Sequence, residues 1–272
     1  MHEHPGSKNH LVNIWSDQNS RQCEDLVAQE CPIALVYNGI SHAVMMASPN
    51  NLEAFSIGFS LSEGIVDSLD DIYEIEINQI EAGIEIALNI SNQCFVSLKD
   101  RRRSLIGRTG CGICGAESLK KLRVPTKSVS SEAHVSHAVI DTAVSQLQKH
   151  QPLQEITGSV HGAAWCDEKG RIIELLEDVG RHNALDKLIG MLATNKNLVI
   201  KQLNNGFLLV SSRASYEMVQ KAAMANISVL VAVSAPTTLA IEIADSIGLT
   251  LVGFARKNRH VCYTHCRRLE SA

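Results

Sequence analysis

The stretch FLLVSSRASYEMVQKAAMANISVLVAVSAPTTLAIEIADSIGLTLVGF, residues 207–254, decides the fold of the second half of the chain. Its apolar runs Phe207–Val210, Val229–Val233 and Thr250–Phe254 are short and carry no polar alternation. Segments of helical spacing separate them, Arg213–Ala225 and then Thr237–Ile247 behind Pro236. Strands apolar on both sides need covering on both sides, so the rhythm predicts an α/β/α three-layer domain.

Upstream, strands near His161–Cys166 and Ile172–Glu177 and helices over Glu132–Lys149 and His182–Leu192 extend that domain back to a boundary at Pro125. The chain before it has a different texture. Cys31–Tyr37 and Ser41–Ala47 flank Asn38-Gly39, the turn chemistry of a hairpin. Leu52–Phe59 places large apolar groups three or four apart, as a packed helix would, with Gly64 as its stop. Ile72–Ile77 and Gly83–Ile90 alternate like half-exposed strands, and Phe95–Leu98 would add another. Met1–Glu30 shows no sustained period. The expected organisation is a flexible N-terminal extension (1–30), a β-rich α+β lobe (31–125), and an α/β/α domain with a mixed sheet (126–272). No repeat of about 20 to 50 residues is visible.

The chain has 272 residues, 45% of them apolar, which is enough for one or two sizeable cores and excludes whole-chain disorder. A net charge of -4 gives no global positive field, so nucleic acid is not the expected partner. Eight cysteines are too sparse for a secreted staple scaffold, and the start, Met1-His2-Glu3-His4-Pro5, has no signal-peptide apolar run. The longest apolar stretches fall short of the roughly 20 residues a spanning helix needs, so no membrane is expected and a reducing cytoplasm is the economical compartment.

Gly107–Gly115 is a glycine-rich loop holding Cys111-Gly112-Ile113-Cys114 after the basic triplet Arg101-Arg102-Arg103, with a short helix former, Ala116–Leu122, behind it. Glycines around Cys111 and Cys114 leave the sulfurs accessible, and a following helix start or Arg108 would favour thiolate, which can carry sulfur as a persulfide. Three readings stand: a reactive or sulfur-carrying pair, half of a metal site completed by Cys262, Cys266, His260 or His265, and a plain turn with two small thiols. The Cys262-x-x-x-Cys266 spacing is irregular for a zinc knuckle. Cys23, Cys31, Cys94 and Cys166 read as packed thiols.

Polar constellations sit at the strand-to-helix junctions of the second half. His161 lies in the small-residue run Thr157–Ala164, either reaching a cleft or sitting satisfied in the core. Glu177–Lys187 compresses Asp178, Arg181, His182, Asp186 and Lys187 into one junction, with Asp178 as a possible cap. The bland alternative there is a capped helix with a solvated Asp186-Lys187 end. Ser211, Ser212 and Arg213 repeat the arrangement, with Arg213 and Glu217 expected on one helical face, and Ser234–Thr238 marks a third junction. Together they suggest a polar cleft across strand ends suited to a phosphorylated, nucleotide-like ligand. Phe254, Ala255, Arg256, Lys257, Asn258 and Arg259 add cationic phosphate clamps and an aromatic platform, unless they are merely a solvated tail. No phosphate loop, dinucleotide fingerprint or His-Glu-x-x-His pair occurs.

The strings Tyr37-Asn38-Gly39, Gly58-Phe59 with Ser62–Ile65, Cys111–Gly115, Glu177–Asp186, Ser211–Glu217, Ser234–Thr237 and Gly253–Arg259, in this order, make the chain resemble the formate dehydrogenase accessory sulfurtransferase family from about Ile33 to Arg259. The resemblance implies a sulfurtransferase that takes sulfane sulfur from a cysteine desulfurase and passes it to the bis(molybdopterin guanine dinucleotide) cofactor for formate dehydrogenase. It puts the carried sulfur on Cys111, with Cys114 assisting, and the guanine dinucleotide contact on Phe254–Arg259; the junction pattern above adds Arg181, His182, Ser212, Arg213 and His161 as candidates for the same cleft. A guanine nucleotide such as GDP would occupy that site. It also implies a second domain similar to the cytidine deaminase fold, and a homodimer is expected.

Deaminase chemistry does not follow, because His161-Gly162-Ala163 has no nearby glutamate and no Pro-Cys-x-x-Cys pair exists. No resident metal is expected. The loop departs from the family in Thr109-Gly110, where serines are usual, and Cys262/Cys266 lie outside its motif. The alternative function is a non-catalytic chaperone that binds the molybdenum cofactor without moving sulfur.

Overall fold

A computed structural model describes residues 5–16, 18–106, 127–195 and 205–270. The stretch expected as a flexible extension contains an antiparallel hairpin, β1 (Ser7–Ser16) with β2 (Asn19–Ala28), in unbroken register from Ser7↔Ala28 to Ser16↔Asn19. Leu11 and Trp15 stand exposed on it, so the hairpin buries no continuous apolar stripe that would show as a period in the sequence.

A four-stranded sheet follows, ordered β4-β3-β6-β5, from β3 (Cys31–Tyr37), β4 (Ile40–Ala47), β5 (Ile72–Ile80) and β6 (Gly83–Ile90). Asn38 and Gly39 both take positive φ, the conformation an Asn-Gly hairpin turn requires. Asn38 also ties the turn to β6, donating from Nδ2 to the Ile90 carbonyl at 3.0 Å and accepting the Ile90 N–H at 2.7 Å. Helix α1 (Leu52–Ser62) packs Phe55 and Phe59 onto this sheet beside Leu35, Ile86 and Leu88.

Residues Phe95–Leu98 are not a strand; they belong to helix α2 (Asn92–Ile106). Cys94 and Leu98, four residues apart, form its buried face, and Ser91 accepts the Cys94 N–H at 3.4 Å where the helix begins. The helix expected over Glu132–Lys149 is also shorter. Strand β7 (Val135–Ser136) precedes α3 (His137–Gln146), Ser136 caps it by accepting the Val139 N–H at 3.3 Å, and Leu147–His150 tightens to a 3-10 turn. A further short helix, α4, spans Pro152–Thr157.

The second half is built on a six-stranded mixed sheet ordered β13-β12-β11-β10-β8-β9: β8 (His161–Cys166), β9 (Ile172–Asp178), β10 (Phe207–Val210), β11 (Val229–Ala232), β12 (Thr250–Arg256) and β13 (Arg259–Thr264). Alternation along the strands separates its two faces. Ala163, Trp165, Leu208, Val210 and Leu230 pack against α5 (Arg181–Thr194), α6 (Tyr216–Met224) and α7 (Thr238–Ile247). Ala164, Cys166, Phe207, Leu209 and Val231 face Ile140 and Ala143 of α3. This is the helix–sheet–helix layering expected from the continuous apolar runs. Strand β14 (Leu269–Glu270) pairs in parallel with β7.

The helix expected from Arg213 begins only at Tyr216. Ser211–Ser215 is a polar loop in which Ala214 bridges Pro236, so Arg213 and Glu217 do not share a helical face. The two halves meet where α1 crosses α5. A Cβ on Gly58 would lie 1.7 Å from the Asp186 carbonyl oxygen, and one on Gly190 would lie 1.9 Å from that of Ala54, so glycine at both points is what lets the backbones touch. No helix among the described residues is long and apolar enough to cross a membrane.

Candidate functional site at the strand edge

Strand direction gathers the polar junctions. β10, β11 and β12 run parallel, so their C-terminal ends share one edge of the sheet. β8 is antiparallel to β10, and β9 to β8, which brings the start of β8 and the end of β9 to the same edge, with His161 paired to Asp178. β13 is antiparallel to β12 and begins there with Arg259, opposite Arg256. His161, Arg181, Ser212, Arg213 and Phe254–Arg259 therefore lie along one edge of the sheet.

Backbone hydrogen bonds stitch these loops together. Ser211 N–H donates to the Gly162 carbonyl at 3.0 Å, Val233 N–H to Val210 at 2.9 Å, Thr237 N–H to Ala214 at 3.1 Å and Phe254 N–H to Ser234 at 3.2 Å. Phe254 takes φ +51°, outside a strand's range, at a bulge between Gly253 and Arg256. That conformation turns an aromatic ring outward at 38% exposure, with the Arg259 guanidinium 5.9 Å from its centroid. Asn258 completes the two-residue turn at φ +59°. Arg256 donates from Nη1 to the Val233 carbonyl, fixing the side chain along the edge.

Two cavities open here. One, of about 470 Å³, is walled by Val144, Leu147, Val233 and Ala255 and mouthed by Arg256 and Lys257. The other, of about 410 Å³, is polar and lined by Gln154, Ser159, Val160 and His161. Gln151 and Ser211 belong to both. Sequence reading named Arg256, Lys257, Ala255 and His161 but passed over Gln151, because a single amide before a proline carries no periodic signal. Arg181, His182, Ser212 and Arg213 share the edge without lining either cavity. His182 is instead engaged by Glu217, 2.9 Å from Nε2, and Ser212 is buried.

The electrostatics of the edge are set by burial and by Arg181. Desolvation, then the Arg181 charge, hold the His161 ring below its ordinary pKa, against the opposing pull of Asp178. His182 is lowered mainly by burial, with Glu217 opposing.

Asp178 does not cap α5. The cap residue is Gly180, and Asp178 accepts the Gly180 N–H at 2.8 Å and the Asn183 amide at 3.0 Å while pairing with Lys187. The Asp186-Lys187 end is not solvated either. Asp186 is buried against Lys221, at 3.0 Å, with Ser62 donating to its carboxylate at 2.6 Å. At the terminus, Cys262 and Cys266 are joined in a disulfide. No group of three or more His, Cys, Asp or Glu among the described residues is placed to hold a metal ion. Cys111 and Cys114 lie outside the described residues, and so do the rest of the Gly107–Gly115 loop and Ala116–Leu122.

The model of the FdhD/NarQ family matches residues 28–270. The chain belongs to that family. It is 50% identical over 268 residues to the sulfur carrier protein FdhD of Cupriavidus necator, covering 98% of this chain and 92% of that protein. Among solved structures, it resembles a protein described as a formate dehydrogenase accessory protein from Desulfotalea psychrophila. That match has a TM-score of 0.75 at 24% identity, covering 98% of this chain and all of the other, and it supports the fold alone. The resemblance drawn from the sequence strings is thereby shown to be family membership.

Proposed function

We propose that this protein is a sulfur carrier for formate dehydrogenase, receiving sulfane sulfur on Cys111 from a cysteine desulfurase and delivering it to a bis(molybdopterin guanine dinucleotide) substrate. The observation that carries this reading is the half-identical relative, named a sulfur carrier protein, aligned over nearly the whole chain. The Cys111-Gly112-Ile113-Cys114 pair supplies the thiols the chemistry needs.

In the loading step the Cys111 thiolate attacks the terminal sulfur of the desulfurase persulfide. A new S–S bond forms on Cys111 and the desulfurase cysteine leaves as thiolate. In the delivery step the Cys114 thiolate attacks the Cys111 sulfur and expels hydrosulfide. The sulfane sulfur is thereby reduced to sulfide while the two cysteines are oxidised to a disulfide, which a cellular dithiol resets. The expelled sulfide takes an oxygen ligand's place on the substrate, and that oxygen leaves as water with two protons.

The strand edge suits the substrate's nucleotide part. Its apolar cavity offers a wall to a flat ring, and Arg256, Lys257 and Arg259 offer charge-assisted donors to phosphate. A purine nucleotide fits these residues, and GDP is the simplest probe. The layered second half is consistent with a cytidine-deaminase-like scaffold used here for binding rather than deamination. Because the loop thiols must reach the edge, we further propose that two copies pair so that one loop serves the other's cleft.

The test is a sulfur chase. Protein treated with a desulfurase and labelled cysteine gains one labelled sulfur on Cys111 and passes it to cofactor. Cys111→Ala that neither gains nor passes label supports the carrier. Cofactor binding with no label transfer by the wild type replaces it with the chaperone reading.

A further inference from the structure

Strand β13 is an edge of the six-stranded sheet, and the disulfide between Cys262 and Cys266 ties it to the 3-10 turn Cys266–Arg268. The path of this segment is already fixed without the sulfurs. Cys262 lies in register with Val252. Thr264 Oγ1 accepts the Leu251 N–H at 3.0 Å and donates to the Leu249 carbonyl at 2.7 Å. Thr250 Oγ1 donates to the His265 carbonyl at 2.9 Å, and Arg268 Nη1 donates to the Gly248 carbonyl at 2.8 Å.

The bond joins residues only four apart in sequence, so it closes a small loop and takes little freedom from the unfolded chain. A staple for the fold would join distant segments. This bond joins two residues whose neighbours are held in place by other means. What it can do instead follows from access. Cys266 is exposed and Cys262 half-buried, whereas the free thiols Cys94 and Cys166 are buried. On one side of Cys266, His265 Nε2 is engaged by Asp245; on the other, exposed Arg267 supplies positive charge. Such a charge draws an attacking thiolate anion toward the exposed sulfur.

We infer that Cys262 and Cys266 form a reversible thiol–disulfide couple whose co-substrate is an external thiol, a second redox site that goes beyond the sulfur-carrier reading and does not depend on it. An external thiolate attacks Cys266 Sγ: a new S–S bond forms there, the bond to Cys262 breaks, and Cys262 leaves as thiolate. A second external thiolate attacks the external sulfur of that mixed disulfide and expels Cys266 as thiolate. The two external thiols end joined as a disulfide, the chain's pair is reduced by two electrons, and the protons the external thiols gave up balance the two new thiolates. An oxidised external disulfide drives the same steps backward.

The test equilibrates the full-length protein in reduced and oxidised glutathione, quenches it with acid, alkylates it, and reads peptide 260–267 by mass spectrometry, with a thermal melt of each sample. The bond should open in millimolar reduced glutathione while the protein stays folded, and close again when oxidised glutathione is added. Arg267→Glu should slow the opening by about threefold or more. Cys266→Ser should melt within about 5 °C of the wild type, because the hydrogen bonds keep the path. A bond that opens only when the protein unfolds, or a larger loss in Cys266→Ser, would make it a structural staple and overturn the assignment. So would an Arg267→Glu variant that opens at the wild-type rate, or sulfurs that stay unpaired in oxidised glutathione.

Discussion

Asp178 Oδ2 and Lys187 Nζ lie 2.7 Å apart, with both side chains wholly removed from solvent. Burial drives the Lys187 pKa down and Asp178 pulls it back, so the ammonium is kept only by its partners. Those partners come from both halves of the chain. Lys187 also donates to the Ser48 carbonyl at 3.0 Å and to Asn50 Oδ1 at 2.7 Å, while Asp178 accepts the Ser48 N–H at 3.0 Å. The pair therefore fixes the end of β9, next to His161, onto the N-terminal lobe.

Removing one partner leaves the other charge buried and alone. Lys187→Met should cost about 3–5 kcal/mol in urea unfolding. Adding Asp178→Asn to it should recover part of that loss. Equal stability of the single variant and the wild type would show that the pair is not buried as described.

The crossing of α1 and α5 should be as intolerant of volume. Gly58→Ala or Gly190→Ala places a methyl within 2 Å of a carbonyl oxygen that belongs to the opposite helix. Backbone cannot move aside as a flexible side chain would, so each variant should lose about 3 kcal/mol or more. Thermal melting measures the loss, and limited proteolysis should show the lobes cleaved apart more readily.

Asp186 gives the stability a pH dependence. Burial pushes its carboxyl from 3.8 up to about 6, against the pull of Lys221 and Ser62. The folded form then holds a proton that the unfolded chain has released, so this contribution is full below 3.8 and is lost as the pH rises to about 6. Asp186→Asn lacks the titration. Its stability should gain on that of the wild type as the pH rises through that window, in urea titrations at matched ionic strength.

Arg181 should be detectable from His161. The ring titrates below its ordinary value because of burial and the Arg181 charge. Arg181→Ala should move its NMR titration midpoint upward, while Asp178→Asn should move it down. No change in the first variant would separate Arg181 from the His161 cavity.

Much of this architecture was legible in the sequence because burial leaves a period. Phe207–Val210, Val229–Val233 and Thr250–Phe254 read as strands since both faces of their sheet are covered, and the observed strands differ from them by two residues or fewer at one end. Once they are parallel, their polar ends converge without further information. The hairpin Ser7–Ala28 was illegible for the opposite reason: it presents Leu11 and Trp15 to solvent and buries little.

Phe95–Leu98 misled because four residues of mixed apolar character fit either period, and only the Cys94–Leu98 spacing against the core selects a helix. Asp186 and Lys187 read either as part of a ligand junction or as a solvated end, and only their tertiary partners show that they are buried instead. Gln151 left no trace at all. Its place over Gly162, which Ser211 holds, depends on residues distant from it in sequence.

The central claim is that sulfur rides on Cys111. Intact-mass and peptide mass spectrometry before and after desulfurase treatment measures it directly. The account predicts that the Cys111 peptide becomes one sulfur atom heavier and returns to its starting mass when cofactor is added. A Cys111 peptide that never changes mass, in a protein that still matures formate dehydrogenase, would contradict it.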